Sequence, residues 1–296
     1  MHYTNKHNLP DPLVQALIRD DYDAGTADIS VTALVGPARI RQLRLRHDHE
    51  ITTDVADNLW LLLGTMGHLA IQHAAVKDGL SEERLYMRRD GCLISGKPDL
   101  WLNNGLTDWK FTSVWAVLLG LKADWEAQLN VYRPLYLEAG FPVDSLNIWA
   151  ILRDWRRGDY RRDPKRYPPV PFKVVPVPIW SDDKLDKYLT ERVMAHKTAE
   201  ALWPWPDNEL PHCTPEERWA RSNTWAVMRE GRKTAVRVKD NQKDAEVMVE
   251  AENKKPKTKK HRVEFRPGAS VRCEDYCEVA PFCNQHKEMK GGEDAN

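Results

Sequence analysis

The stretch from Arg84 to Thr112 constrains the fold of this chain more than any other. It holds three short runs rich in apolar residues, Arg84–Arg89, Cys92–Leu102 and Leu106–Thr112, separated by Asp90-Gly91 and Asn103-Asn104-Gly105. Asp-Gly and Asn-Gly take up the positive φ angles that tight hairpin turns demand, so the stretch predicts three successive antiparallel strands. An apolar helix carrying His68 is expected before them, from about Asp54 to Val76, with Gly79 as its stop. Another is expected after them, from about Ala123 to Ala139, ended by Gly140 and Pro142. Leu146–Asp154 and Val174–Ile179 read as further strands, and Ser181–Trp203 as a helix. Helices on both sides of several strands in this order predict an α/β fold, a mixed central sheet flanked by helices.

Residues 10–80 read as mainly helical. Pro12–Ile18 follows Asp11, a fair N-cap, and Ser30 opens a segment that Gly36-Pro37 interrupts. At the other end, Thr224–Val238 reads as a hairpin around Glu230-Gly231. Asn253–Lys260 reads as a mobile lysine-rich linker, and the tail after His286 as disordered. With 296 residues the chain is long enough for one large domain and an appendage. The expected division is residues 1–180 and residues 181–296, the second part helical and basic.

Charge alone excludes little. Forty-four Lys and Arg balance forty-four Asp and Glu, but local clusters set the surface field. Arg153–Arg166 holds seven basic against three acidic residues, and Arg229–Arg262 twelve against six. Either is a solvated face or a phosphate-binding one. Twelve tryptophans suit core packing and base stacking alike. No apolar run approaches the ~18 residues of a membrane helix. Met1–Pro10 is polar and lacks a signal-peptide core, so no membrane partner and a cytoplasmic protein are expected.

The chemistry is concentrated in the predicted strands. Pro98-Asp99 and Asp108-Trp109-Lys110 place two carboxylates near the ends of neighbouring strands, where they can share a hard cation such as Mg2+ or Mn2+. In a strand, Asp108 and Lys110 point to one face. The ammonium then lies beside the metal, where it can orient water or neutralise a phosphate. A surface Asp-x-Lys is common, but this one has apolar flanks that make an unpaired charge costly. Gly64–His68 lies on the apolar helix, and its imidazole suits manganese. His73 falls about 140° further round the helix and is not expected in the site. Gln128 and Tyr132 are one helical turn apart and share a face.

Taken together, Gly64-x-x-x-His68, Pro98-Asp99, Asp108-x-Lys110 and Gln128-x-x-x-Tyr132 resemble the motifs of the PD-(D/E)XK nuclease superfamily, in its RecB-like branch. That branch includes the RecB and AddB nuclease domains, the iron–sulfur nucleases of CRISPR adaptation and phage-type exonucleases. The resemblance covers about residues 30–155 and implies a restriction-endonuclease-like nuclease core within residues 1–180. It implies that His68, Asp99 and Asp108 bind metal, with the Trp109 carbonyl a further ligand. Lys110 would assist the water, and Gln128 and Tyr132 would support the site. The implied activity is hydrolysis of DNA by a metal-activated water, as an exonuclease in recombination, repair or end processing of a phage or bacterium. A recombination or single-strand-binding protein is an expected partner. A catalytically silent DNA-binding subunit is the alternative.

Cys273, Cys277 and Cys283 cluster near the C-terminus and Cys213 stands apart. Four thiolates can hold zinc or an iron–sulfur cluster. Branch members with a cluster carry three close cysteines after the core and one upstream of it. Here Gly36-Pro37 stands where the upstream Cys-Pro is expected, so Cys213 is assigned as the fourth ligand of a 4Fe–4S cluster, with Zn2+ as the alternative. The polar, basic segment between Cys213 and Cys273 is expected to depend on that metal for its order. Cys92 reads as a buried small hydrophobe.

Overall fold

A computed structural model describes residues 1–19, 25–73, 79–81, 83–256 and 259–293, the last three as backbone only. The chain divides into two compact units, Met1–Pro211 and His212–Asn296.

The first unit begins with β1 (His2–Thr4), α1 (Asp11–Ile18), β2 (Ile29–Ser30), α2 (Val31–Val35), α3 (Ala38–His47), β3 (Thr52–Asp54) and α4 (Leu59–Gln72). Ser30 caps α2, its hydroxyl accepting the Ala33 amide at 3.2 Å, as its position in the sequence suggests. The expected helix from Asp54 is shorter: Asp54 ends a strand, a 3-10 turn covers Val55–Asn58, and α4 begins at Leu59. Val76, its expected end, lies outside the described residues. The described part of residues 10–80 is mainly helical, as expected; the parallel pair β1–β3 has no signal in the sequence, because strands of three residues carry no period that a sequence displays.

Next come β4 (Leu85–Arg89), β5 (Cys92–Gly96), β6 (Leu100–Leu102) and β7 (Gly105–Thr112). Both turns behave as their residues require. Asp90 and Gly91 have φ of 50° and 70°, and Asn103 and Asn104 have 49° and 59°. The expected strand Cys92–Leu102 is broken. Pro98 has no amide hydrogen to extend a ladder, so β5 and β6 enter different sheets. β5 joins the sheet β2-β5-β4, and β6 the sheet β6-β7-β8-β9. The chain continues with α5 (Val114–Leu118), α6 (Ala123–Glu138), β8 (Ser145–Leu152), α7 (Arg157–Arg162), β9 (Phe172–Val177) and α8 (Asp182–Ala201). β8 runs parallel to β7 and antiparallel to β9. The architecture is therefore mixed α/β as expected, with several sheets where one was expected.

The main core lies where α6 meets these sheets: Leu129, Val131, Leu135 and Tyr136 with Leu106, Leu146, Ile148 and Ala150. α8 adds Leu185, Leu189 and Val193 to the same core, so it belongs to the first unit. Arg39, 1% exposed, extends that unit to its end. Its guanidinium donates to the carbonyls of Asp207 and Leu210. These contacts move the boundary from the expected 180/181 to 211/212.

In the second unit, β10 (Thr224–Arg229) pairs antiparallel with β11 (Arg237–Lys239) and β12 (His261–Arg266), with α9 (Gln242–Asn253) between β11 and β12 in sequence. The hairpin was legible in the sequence; α9 was not. Ala226, Val227, Met228 and Ala245 are buried, so the segment between Cys213 and Cys273 has a small core of its own, against the expectation of few residues to bury. Residues 257–258 of the expected linker lie outside the described residues, but the ends of that stretch are clamped: Asn253 exchanges hydrogen bonds with the His261 backbone at 2.7 and 3.1 Å. The expected disordered tail is helical as far as Glu293, in α10 (Asn284–Glu293); residues 294–296 lie outside the described residues. Among the described residues no helix is long and apolar enough to cross a membrane.

Candidate active site

Two hydrogen-bonded chains of side chains meet around β7. One starts on α4. His68 Nδ1 lies 3.2 Å from Asp99 Oδ1, and Asp99 Oδ2 accepts the Trp109 amide at 2.7 Å. The reason is the broken strand. The β6–β7 ladder begins at Leu100 opposite Thr107, so beyond it the Trp109 amide has no carbonyl from β6, and the Asp99 carboxylate takes that place. α4 reaches β7 because Gly67 has no side chain; a Cβ there would lie 2.0 Å from the Phe111 ring. The close approach that Gly67 allows is thus to Phe111, whose ring also faces His68 at 5.7 Å.

The second chain runs to α6. Lys110 Nζ lies 2.6 Å from Asp108 Oδ2 and donates to Gln128 Oε1 at 3.3 Å, while Gln128 Nε2 donates to the Tyr132 hydroxyl at 3.1 Å. Gly96 makes room for Tyr132: a Cβ there would stand 2.7 Å from the ring. The structure thus brings His68 to Asp99, and Lys110 to Asp108 and Gln128, with Tyr132 beyond. Trp109 contributes its amide, and its ring packs edge-on against Trp149 at 4.9 Å.

Burial sets the electrostatics. Asp108 is 4% exposed; desolvation drives its pKa up to about 6 against the pull of Lys110, and the Asp99 charge adds to the rise. For Lys110, burial pulls the pKa down, but the Asp108 charge and contact outweigh it, and the net shift is upward. The hydrogen bond that His68 donates to the Asp99 carboxylate raises the His68 pKa. Burial raises Tyr132, which stays protonated. Because the Asp99 and Asp108 charges bear on groups of both chains, the two form one electrostatic unit.

Among the described residues, no three histidine, cysteine, aspartate or glutamate side chains converge closely enough to cage a metal as they stand. His68 pairs with Asp99, Asp99 also with the Trp109 amide, and Asp108 with Lys110, instead of all three facing a common point. The donor set nevertheless fits a hard divalent cation, two carboxylates and an imidazole. Asp108 Oδ2 is buried, with the Lys110 ammonium as its ion-pair partner at 2.6 Å.

Sequence reasoning missed the surroundings. A cavity of about 170 Å³ adjoins Asp99 and Tyr132, and Arg84, Lys97 and Ser95 help to line it. Arg84 donates to Ser95 Oγ at 3.1 Å. Lys97 stands within the Gly96–Asp99 stretch, but only the fold turns it and Arg84 toward the same space.

In the second unit none of the four expected cysteines is in a disulfide. Burial raises the Cys277 and Cys273 thiols, and Cys283 raises both further, so these three lie within electrostatic reach of one another. Cys213 is tied close to Cys283 in the chain: Gln285 accepts from the Cys213 amide and donates to its carbonyl, each at 2.9 Å. Cys92 is buried on β5, as expected.

No family model and no curated protein matches this chain. Among solved structures, SSO0001 is 14% identical with a TM-score of 0.44, covering 63% of this chain and 85% of its own. A protein of Eubacterium rectale called "Putative exonuclease" is 12% identical with a TM-score of 0.29, covering 66% of this chain and 71% of its own. Likenesses this distant carry no argument about activity.

Proposed function

We propose that this chain is a metal-dependent DNA nuclease of the PD-(D/E)XK type, acting as an exonuclease. The observation that carries the reading is the buried Asp108 carboxylate paired with the half-buried Lys110 on β7, with Asp99 held at the open edge of the same strand. A buried carboxylate paired with an ammonium is costly to fold, and a DNA-binding surface has no use for it. Mg2+ or Mn2+ at His68, Asp99, Asp108 and the Trp109 carbonyl would supply charge to the scissile phosphate and acidify a nearby water. Lys110, aimed by Gln128, neutralises charge that builds on the phosphate. Tyr132, protonated, fixes Gln128. Arg84 and Lys97 bring two further positive charges beside Asp99, where an anionic substrate would sit.

The test is to incubate the protein with end-labelled linear and with closed circular DNA, with either cation and with chelator. Loss of label from linear DNA alone, abolished by chelator, is expected. Cleavage of circles would make it an endonuclease. DNA binding without cleavage under any cation would leave the silent DNA-binding subunit.

The cysteines are proposed as a separate structural centre, a 4Fe–4S cluster with Zn2+ as the alternative. Gently purified protein should be brown with iron, or colourless with about one zinc per chain. Cys277→Ser should lose that metal and expose the C-terminal region to protease while the first unit stays folded. Neither metal, with four freely alkylated thiols, would reduce these residues to ordinary cysteines.

A further inference from the structure

A cleft of about 450 Å³ lies in the first unit beyond the end of β7, lined by Trp115 and Leu118 of α5 and by Arg156, Arg162, Arg166 and Tyr167 among others. None of the expected site residues belongs to it. Trp115 is 56% exposed, and the Arg166 guanidinium lies 5.7 Å from its ring centre. The three arginines face three carboxylates, Asp154, Asp159 and Asp163, so the lining is formally neutral. The charges are not equally engaged, however. Asp154 is spent on the Val114 amide at 2.7 Å, and Asp159 pairs with Arg162. Arg156 and Asp163 make no side-chain hydrogen bond or ion pair among the described residues, and Arg166 makes only its stack on Trp115.

We infer that this cleft binds one nucleotide unit of a nucleic-acid strand. Its volume suits a base with its sugar and phosphate. The exposed Trp115 face offers a stacking platform for any base. Arg156 and Arg166 offer two guanidiniums to a phosphate, and the unengaged Asp163 carboxylate can accept from a base amino group. A purely anionic ligand would leave Asp163 repelled; a purely apolar one would leave both guanidiniums desolvated. Only a ligand with an aromatic face, a donor edge and an anionic group answers all three. Val114 follows Lys110 by four residues, about 13 Å along an extended chain. The cleft therefore lies a few nucleotides from the acidic centre, and the inference rests on the nuclease reading for its source, the substrate strand. A second aromatic pair lies on α4, the helix of His68: Arg153 stacks on Trp60 at 4.1 Å.

The source can also be a free nucleotide, and the experiment separates the two. Binding is measured in chelator, so that nothing is cleaved, with a fluorescein-labelled single-stranded oligonucleotide and separately with AMP and dCMP, on wild type, Trp115→Ala, Trp115→Phe and an Arg156→Ala/Arg166→Ala double variant. Trp115→Ala should weaken the oligonucleotide about ten-fold, the loss of one base stack, and Trp115→Phe should restore most of it. The arginine variant should lose affinity and part of the salt dependence. If AMP or dCMP binds to wild type, fails to bind to Trp115→Ala, and oligonucleotide affinity is the same in both, the cleft takes free nucleotides and the strand assignment is overturned. Unchanged affinity for every probe in correctly folded variants overturns the cleft as a nucleotide site. Cleavage persisting in an Asp108 variant would overturn the acidic centre and leave this result intact, because no arm of the binding test reads activity.

Discussion

Replacing Asp108 with alanine should lower DNA cleavage by at least about a thousand-fold while DNA binding in chelator stays near the wild-type level. Several kcal/mol of transition-state stabilisation come from a metal held on such carboxylates, and each 1.4 kcal/mol is worth about a factor of ten in rate. Binding should survive because Asp108 is buried and carries the wrong charge to touch phosphate. Lys110→Ala should be comparably inactive, since Gln128 and Tyr132 exist to aim that ammonium. The two differ in one respect. Lys110→Ala keeps both carboxylates and should still bind manganese in a calorimetric titration, whereas Asp108→Ala should bind it weakly. Circular dichroism must show both folded, because Asp108→Ala leaves Lys110 half-buried beside Gln128 alone. Wild-type cleavage by either variant would remove the acidic centre from the chemistry.

The second large effect concerns stability. His196 on α8 is 4% exposed, and its Nε2 meets the Leu34 carbonyl at 3.1 Å. Burial above all, then the Arg192 charge, lowers its pKa from 6.5 to about 4. The sign follows from linkage. Between pH 6.5 and 4 the unfolded chain binds a proton at this histidine and the folded chain does not, so stability falls with falling pH across that window. The difference corresponds to about 3 kcal/mol when each pH unit is worth about 1.4 kcal/mol. Asp108, with a raised pKa, contributes in the opposite sense over much of the same range, so wild-type stability alone does not isolate the histidine. The measurement is urea unfolding of wild type and His196→Gln at pH 7 and pH 4. Wild type should lose about 3 kcal/mol more than the variant, which keeps a donor for Leu34 but has nothing to protonate. Equal losses would mean that His196 is solvated in the folded state.

Local chemistry accounts for much of what was legible in the sequence. Asp-Gly and Asn-Asn-Gly mark their turns because few other residues accept positive φ. Ser30 and Ser181 mark helix starts through their hydroxyls, and α6 and α8 show their ends in Gly140 and in the Pro204 that follows. Asp108 and Lys110 share a face because a strand has a period of two. Motif spacing also singles out His68, Asp99, Gln128 and Tyr132, and the structure sets His68 against Asp99 and Gln128 against Tyr132. The α9 helix and the β1–β3 pair were not legible. The first lies in a run whose charges mask its period, and the second is too short to have one.

The sequence by itself determined the α/β character, the hairpins, and the shared face of Asp108 and Lys110, because turn preference, capping and strand alternation act within a few residues. Tertiary structure alone decided the rest. Pro98 can end a ladder, but only the packing sends β5 and β6 into separate sheets and leaves the Trp109 amide for Asp99. Arg39 shows nothing in sequence of the carbonyls at Asp207 and Leu210 that it holds, some 170 residues away, and with them the position of the boundary between the units. Arg84 and Lys97 beside Asp99, and Trp115 beside Arg166, come from segments whose separation along the chain has no local signature. Burial itself, which sets the pKa of Asp108 and His196, is a property of everything packed around a residue and is written at no single position.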